Sequence, residues 1–123
     1  MVDKHQIMVD NKDMLEGLFG NQTIEKVLLS LFHYGEVYVA GIARDFEIAE
    51  NPVRKQLERL EQTGIIHSKL AGRTRLYSFN QKNPYTSSLK NLVEVLYYGI
   101  PLQEREQMFK SRRRPRRKGK PIL

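Results

Sequence analysis

Two long segments of this chain carry apolar residues at helical spacing. In both, apolar side chains recur at i, i+3, i+4, i+7 and i+8, which places them on one face of an α-helix. The first segment predicts a helix from Asn21, a good N-cap residue, to about Gly35, and the second predicts a helix ending at residues 99–101. The two stripes are Ile24, Val27, Leu28, Leu31 and Phe32, and then Leu89, Leu92, Val93, Leu96 and Tyr97.

Shorter patterns occupy the ends of the chain and the region after the first helix. The stretch EVYVA, residues 36–40, is brief and rich in β-branched and aromatic residues, which predicts a short strand. MLEGLFG, residues 14–20, is a short apolar piece that ends on glycine, and LQEREQMF, residues 102–109, favours one further short helix. Residues 1–12 are polar and lack a sustained period, so we expect a flexible N-terminal arm there.

The middle of the chain predicts two helices joined by a tight connection. Ile42, Ala43 and Phe46 form the inner face of a helix of about two turns, and residues 47–50 make the connection. Such a pair, with a narrow apolar stripe on the second helix, is the helix-turn-helix arrangement.

The second helix of this pair is expected to begin with Asn51 as its N-cap. Pro52 then takes the first helical position, where its missing N–H costs nothing, and Gly64 closes the helix. The stripe of Val53, Leu57 and Leu60 faces the core. It leaves four polar or basic side chains off the core, as a groove-reading helix requires: Arg54, Lys55, Gln56 and Arg59.

A hairpin signal follows this helix. IIHSKL and TRLYSF are two strand-like runs separated by Ala71-Gly72-Arg73, and Arg73 and Arg75 place cations at the tip and shoulder. Helix, turn, helix and basic-tipped hairpin describe an α+β, mainly α, winged helix with a three-helix core and an additional C-terminal helix. The predicted divisions are the arm (1–12), the winged-helix domain (13–82), a C-terminal helical dimerisation segment (83–109) and a disordered basic tail (110–123).

Charge is distributed unevenly along the 123 residues. Eight of the 21 Lys and Arg lie from Lys110 onward, so residues 1–109 hold 13 bases against 14 acids. Within residues 51–82, however, there are seven bases and two acids, a local charge of +5. A basic window over the second helix and the hairpin favours a polyanion-binding face.

NPVRKQLERLEQTGII followed by AGRTRLYSFN resembles the recognition helix and wing of ArsR-like winged-helix transcriptional regulators. LFGNQTIEKVLLSLF is similar to the first helix of the subset associated with minimal nucleotidyltransferases, so the resemblance covers about residues 15–82. It implies DNA-facing positions on the helix and on the wing, which are Glu50, Asn51, Arg54, Lys55, Gln56, Arg73 and Arg75. Metal sensing is not carried over, because the chain has no Cys and its His5, His33 and His67 are scattered.

The C-terminal helix and the tail complete the set of expected partners. The helix containing Leu89, Leu92, Val93, Leu96 and Tyr97 also carries Val95 and Tyr98 on a second side, which favours a homodimer through this helix. The N-terminal arm or the MLEGLF segment is a further candidate for this interface. The tail is expected to bind phosphates through Arg112, Arg113, Arg114, Arg116, Arg117 and Lys118.

Other function classes find little support in the sequence. It carries no phosphate-binding loop, nucleophile elbow or metal-ligand spacing, so we expect neither an enzyme nor a bound cofactor or metal. Without cysteine there is no disulfide, and the N-terminus has no apolar stretch suited to a signal peptide or membrane span. We therefore expect a soluble cytoplasmic protein, nucleoid-associated if prokaryotic.

Three hypotheses remain open at this point. The first is a dimeric regulator that reads a specific double-stranded DNA site with its recognition helix and wing. The second is a winged-helix module that docks a protein such as a nucleotidyltransferase. The third is a sequence-independent DNA- or RNA-binding protein driven by the basic tail.

Overall fold

The structure is a computed structural model that describes residues 11–110. The predictions for residues 1–10 of the arm and 111–123 of the tail lie outside the described residues. Within the described range the chain forms six helices and three strands. In chain order they are α1 (Asn11–Phe19), α2 (Gln22–Tyr34), β1 (Glu36–Val37), α3 (Val39–Phe46), α4 (Glu50–Gln62), β2 (Ile66–Ala71), β3 (Thr74–Phe79), α5 (Thr86–Tyr98) and α6 (Leu102–Met108).

Helix α2 is the central element of the core, and its predicted bounds are confirmed. Asn21 is the N-cap, and its Oδ1 accepts a hydrogen bond from the Ile24 backbone N–H at 2.8 Å. Gly35 ends the helix with φ of 82°, a left-handed conformation that a residue with a Cβ adopts only with strain. Four residues of the predicted stripe are buried, with Val27, Leu28 and Leu31 fully enclosed, and Phe32 is partly buried against them.

Helix α3 begins earlier than the sequence pattern predicts. Of the stretch expected to form a strand, only Glu36 and Val37 pair with β3. Tyr38 is the extended N-cap residue of α3, so Val39 and Ala40 are helical rather than extended. Glu47 then ends α3 in the left-handed region, at φ of 56°, and turns the chain toward α4.

Helix α4 begins one residue before its predicted N-cap. Ala49 is the N-cap residue and Asn51 is the second residue of the helix, so the assignment of Asn51 as N-cap was wrong. Pro52 is the third residue of the helix and is accommodated there because the first four N–H groups of an α-helix have no intrahelical acceptor. The Asn51 side chain instead accepts a hydrogen bond from Arg54 Nη1 at 2.9 Å.

Strands β2 and β3 form the predicted antiparallel hairpin. Their register runs from Ile66 opposite Phe79 to Ala71 opposite Thr74, and β1 adds to the other side of β3 to give the sheet order β1-β3-β2. Tyr77 and Phe79 are buried, as their alternation along the strand predicts.

Helix α5 packs its apolar stripe against the rest of the chain. Val93, Leu96 and Tyr97 belong to the hydrophobic core, and Leu89 and Leu92 pack against it. This stripe, on the helix through which a homodimer is expected, is therefore used within the protomer, because α5 lies against α2. What α5 exposes is its second side, with Val95 and Tyr98 at 69% and 61% exposure.

The described residues thus form an α+β, mainly helical fold, as predicted. Helices α2, α3, α4 and α5 surround one hydrophobic core, and the sheet closes it beside α4. None of the described helices is long and apolar enough to cross a membrane.

Candidate nucleic-acid interface

Helix α4 and the β2–β3 hairpin border one open cleft of about 480 Å³, which we call the α4–hairpin cleft. Arg54 enters it from α4, and Arg73 and Arg75 enter it from the hairpin. Arg73 and Arg75 follow Arg54 by 19 and 21 positions along the chain, and they reach the same cleft because β2 packs against α4. The cleft is lined by Tyr38, Val39, Ala40, Glu50, Arg54, Glu58, Glu61, Arg73, Thr74, Arg75 and Tyr77.

The core stripe of α4 decides which side chains reach the cleft. Val53 and Leu57 are fully buried, so residues one position further along the helix turn toward the hairpin flank. Glu50, Arg54 and Glu58 follow one another at i+4 spacing on this flank, and all three line the cleft.

Arg54 is held by two partners on its own helix. Its Nη1 donates to Asn51 Oδ1 at 2.9 Å, and its Nη2 lies 3.5 Å from Glu50 Oε1. Both charged side chains of the pair are about half exposed, at 44% and 53%. Because an exposed ion pair contributes little net free energy, the guanidinium can exchange Glu50 for an external anion at small cost.

Arg75 is connected to α4 through a hydroxyl. Its Nη1 donates to Ser68 Oγ at 2.9 Å, and Ser68 Oγ donates to Glu61 Oε2 at 2.6 Å. This chain of hydrogen bonds joins both strands of the hairpin to the C-terminal half of α4. It fixes the distance between the two elements that border the cleft.

The outer face of α4, opposite its core stripe, carries a different group of side chains. Asn51, Lys55 and Arg59 are exposed there, together with Gln62. Gln56 is half-buried on the other flank, where its Oε1 accepts from Arg59 Nη1 at 3.4 Å. The predicted DNA-facing residues of α4 therefore do not share one face: Arg54 and Glu50 face the cleft, and Asn51 and Lys55 face outward.

Acidic residues offset much of the positive charge in the cleft. Three glutamates, Glu50, Glu58 and Glu61, line it together with three arginines. The pKa of the Tyr77 hydroxyl is raised from its ordinary value of 10.0, first because the side chain is buried and then because Glu61 and Glu58 lie nearby. Arg75 and Arg54 oppose this rise.

The sequence reasoning did not assign Glu58, Glu61 or Ser68 to this site. The glutamates had a usable signal, because their spacing from Glu50 and Arg54 places them on one helix flank. Ser68 had none, since its part depends on the register that sets it opposite Tyr77.

Not every base of the +5 window reaches this surface. Lys69 Nζ lies 3.5 Å from Glu36 Oε2. Because side chains alternate along a strand, Lys69 lies on the opposite sheet face from Ser68 and its cross-strand partner Tyr77. The six tail bases of the predicted set, Arg112, Arg113, Arg114, Arg116, Arg117 and Lys118, lie outside the described residues.

The two histidines within residues 11–110 have different surroundings. His67 is exposed on β2, as expected. His33, expected near the end of α2, makes a hydrogen bond of 2.7 Å between its Nδ1 and the Tyr97 hydroxyl. Over residues 11–110, no group of three or more His, Asp or Glu side chains is placed to hold a metal ion.

The described elements form an α+β, mainly helical arrangement that is compatible with a winged helix. The crystal structure of the YusO protein from Bacillus subtilis is similar in fold, with a TM-score of 0.52 at 20% sequence identity. The similarity covers 86% of this chain and 92% of that chain. No protein-family model matches the chain, and no curated protein sequence matches it.

Proposed function

We propose that this protein is an ArsR-like winged-helix transcriptional regulator that binds specific double-stranded DNA sites. The observation that carries the proposal is the α4–hairpin cleft, which is lined by Arg54 of α4 and by Arg73 and Arg75 of the hairpin. In a winged helix, the second helix of the helix pair enters the major groove and the hairpin acts as the wing. These arginines then lie where the two DNA-contacting elements converge.

The dimensions of α4 suit this role. Its 13 residues span about 20 Å, and an α-helix of about 10–12 Å diameter fits the major groove, which is about 12 Å wide. Asn51 and Lys55 on the outer face of α4 are assigned to base edges, and Arg54 reaches them by releasing Glu50. Arg73 and Arg75 are assigned to phosphates or the minor groove beside the helix.

We further propose that the protein acts as a homodimer. The supporting observation is a set of exposed apolar residues on α1, α5 and α6, since large exposed apolar side chains mark interaction surfaces. We call this the apolar face: Met14, Leu18, Phe19, Val95, Tyr98 and Leu102. A closed two-fold dimer buries the same face on both protomers and presents two copies of α4 to one duplex.

A second candidate function is supported by the acids of the cleft. With Glu50, Glu58 and Glu61 beside the three arginines, the cleft has no net formal charge. A surface of alternating charges suits a protein partner with complementary charges better than a uniform polyanion. Under this alternative, the winged helix docks a protein and DNA contact is secondary.

Selection from a pool of random duplexes distinguishes these functions. The parent chain is compared with a tail-neutral chain, which is the full-length chain with all eight Lys and Arg from Lys110 onward replaced by glutamine. We expect both chains to enrich the same two-fold symmetric sequence, because the tail adds phosphate contacts that carry no sequence information.

Two other outcomes contradict the proposal. If the parent chain enriches no sequence and retains no duplex, the protein-docking function is favoured. If it retains duplex without enrichment, and the tail-neutral chain retains none, binding is sequence-independent and driven by the tail.

A further inference from the structure

An exposed arginine, Arg44, lies on the flank of α3 that borders the α4–hairpin cleft. It stands in the last turn of α3, four residues after Ala40, which lines the cleft. Because residues four apart are neighbours on one side of a helix, Arg44 continues the line of the cleft along α3. The cleft therefore has a cation on its α3 side in addition to those of α4 and the hairpin.

A tyrosine hydroxyl fixes the position of the Arg44 guanidinium. Arg44 Nη2 donates to the Tyr38 hydroxyl at 2.8 Å. Tyr38 is the N-cap residue of α3 and lines the cleft, yet it is only 8% exposed. Since packing holds the buried ring, its hydroxyl is a fixed acceptor, and the arginine loses less conformational freedom when it binds an external group.

Gly41 makes room for the Tyr38 ring on the surface of α3. A Cβ at position 41 would lie 2.8 Å from Tyr38 Cε1 and 2.9 Å from Tyr38 Cζ. Carbon atoms pack at about 3.5–4.0 Å, so a larger residue would push the ring away. The glycine thus allows the ring to lie along the helix and to carry its hydroxyl to Arg44.

Arg44 also differs from the arginine of α4 in its lack of an acidic partner. Arg54 is paired with Glu50, whereas among residues 11–110 no carboxylate forms an ion pair with Arg44. A guanidinium has five N–H donors, and the hydrogen bond to Tyr38 uses one of them. The other donors are available to an external acceptor, and the planar fork of a guanidinium suits the oxygens of a phosphate.

We infer that Arg44 contacts a phosphate of the DNA backbone, with Tyr38 as the positioning residue that holds the guanidinium. The inference rests on the proposed function and adds α3 to its DNA-contacting elements. In a helix-turn-helix, the first helix crosses the backbone while the second enters the major groove, and α3 is the first helix of this pair. A phosphate contact carries no sequence information, so Arg44 adds affinity without adding site preference.

The salt dependence of binding by Arg44→Ala tests this inference. Binding to the duplex enriched by the parent chain is measured by fluorescence anisotropy from about 0.1 M to about 0.5 M salt. Loss of one phosphate contact should lower the slope of log K against log salt by about 0.9 and weaken binding about five- to tenfold at 0.1 M. The loss should be equal for the preferred duplex and for duplexes changed at single base pairs.

Two further variants separate this contact from general charge effects. Lys69→Ala removes the same charge from the opposite sheet face and should leave the slope unchanged. Tyr38→Phe keeps the ring and every charge but removes the hydroxyl, so binding should weaken about twofold or more with a slope close to that of the parent. In the Arg44→Ala background, Tyr38→Phe should cause no further loss, because the hydroxyl acts through Arg44.

Several results would overturn the inference while leaving the proposed function in place. They are an Arg44→Ala variant with the affinity and slope of the parent, a loss that depends on the base sequence, and a slope that Lys69→Ala lowers equally. Equal losses from Tyr38→Phe with and without Arg44 would overturn the positioning role. A parent chain that binds no duplex would overturn both the inference and the proposed function.

Discussion

Replacing Arg54 with alanine separates the role of this side chain in DNA binding from its role in the fold. In the free protein, Arg54 Nη2 lies 3.5 Å from Glu50 Oε1, and both side chains are about half exposed. Coulomb attraction at that distance in water is about 1.2 kcal/mol, and the net value of exposed pairs is below about 1 kcal/mol. The free energy of unfolding should therefore fall by no more than roughly 1 kcal/mol.

Arg54→Ala should reduce the free energy of binding to the preferred duplex by more than it reduces the free energy of unfolding. A bidentate arginine contact to a base contributes about 1–3 kcal/mol, from which up to about 1 kcal/mol is subtracted because Arg54 must first release Glu50 and Asn51. The expected net loss is about 1–2 kcal/mol, or roughly 5- to 30-fold in Kd. The preference for one base pair should weaken at the same time.

The assay is fluorescence anisotropy with the preferred duplex and with duplexes changed at single base pairs, alongside urea unfolding of each variant. Lys69→Ala is the matched control, because Lys69 is also paired to an acid at 3.5 Å but lies on the opposite sheet face. It removes the same charge and should change Kd by less than twofold. The reasoning is refuted if Arg54→Ala binds as tightly as the parent, or if Lys69→Ala weakens binding equally.

Three further predictions concern the cleft and the apolar face. Glu61→Gln keeps an acceptor for Ser68 but removes a negative charge from the cleft. One charge at roughly 10 Å from a phosphate in water contributes about 0.4 kcal/mol, so DNA affinity should rise by about twofold. An unchanged Kd in an electrophoretic shift assay would contradict this. Because the pKa of Tyr77 is raised in the folded protein, the contribution of its hydroxyl to the free energy of unfolding is fully present below the ordinary pKa of 10.0 and is lost as the pH rises above it. In urea unfolding from pH 8 to 11, Tyr77→Phe should therefore lose less stability at alkaline pH than the parent. Val95→Glu places a charge on the apolar face at a 69% exposed position, so the proposed dimer should dissociate in analytical ultracentrifugation while the protomer still unfolds cooperatively on heating. A dimer that survives this substitution would assign the interface elsewhere.

Much of the secondary structure follows from local patterns in the sequence. The stripe of α2 and its Asn21 cap predict a helix whose bounds the structure reproduces, since both signals act within a few residues. The hairpin is predicted equally well, because alternating strands around a glycine-containing turn specify their own pairing. Local rules failed at the start of α4, where Asn51 is an adequate N-cap residue but the preceding turn begins the helix earlier.

The surfaces depend instead on contacts between segments distant in the chain. An apolar stripe shows that a helix face is buried but not against what, and only the structure shows that the α5 stripe packs against α2. The same limit applies to Phe109, which is buried because its ring contacts aromatic side chains of α2, α3 and α5.

The sequence by itself determined the order of helices α2 to α6, the hairpin and the basic window over residues 51–82, because periodicity, capping and charge are properties of short segments. Only the tertiary structure decided which of those bases share a surface. It brings Arg54 to Arg73 and Arg75, sends Lys69 to the other face of the sheet, and sets Glu50, Glu58 and Glu61 among the arginines. The reason is that the buried stripe of α4 fixes the rotation of the helix against the hairpin, and that rotation is a property of the packed core.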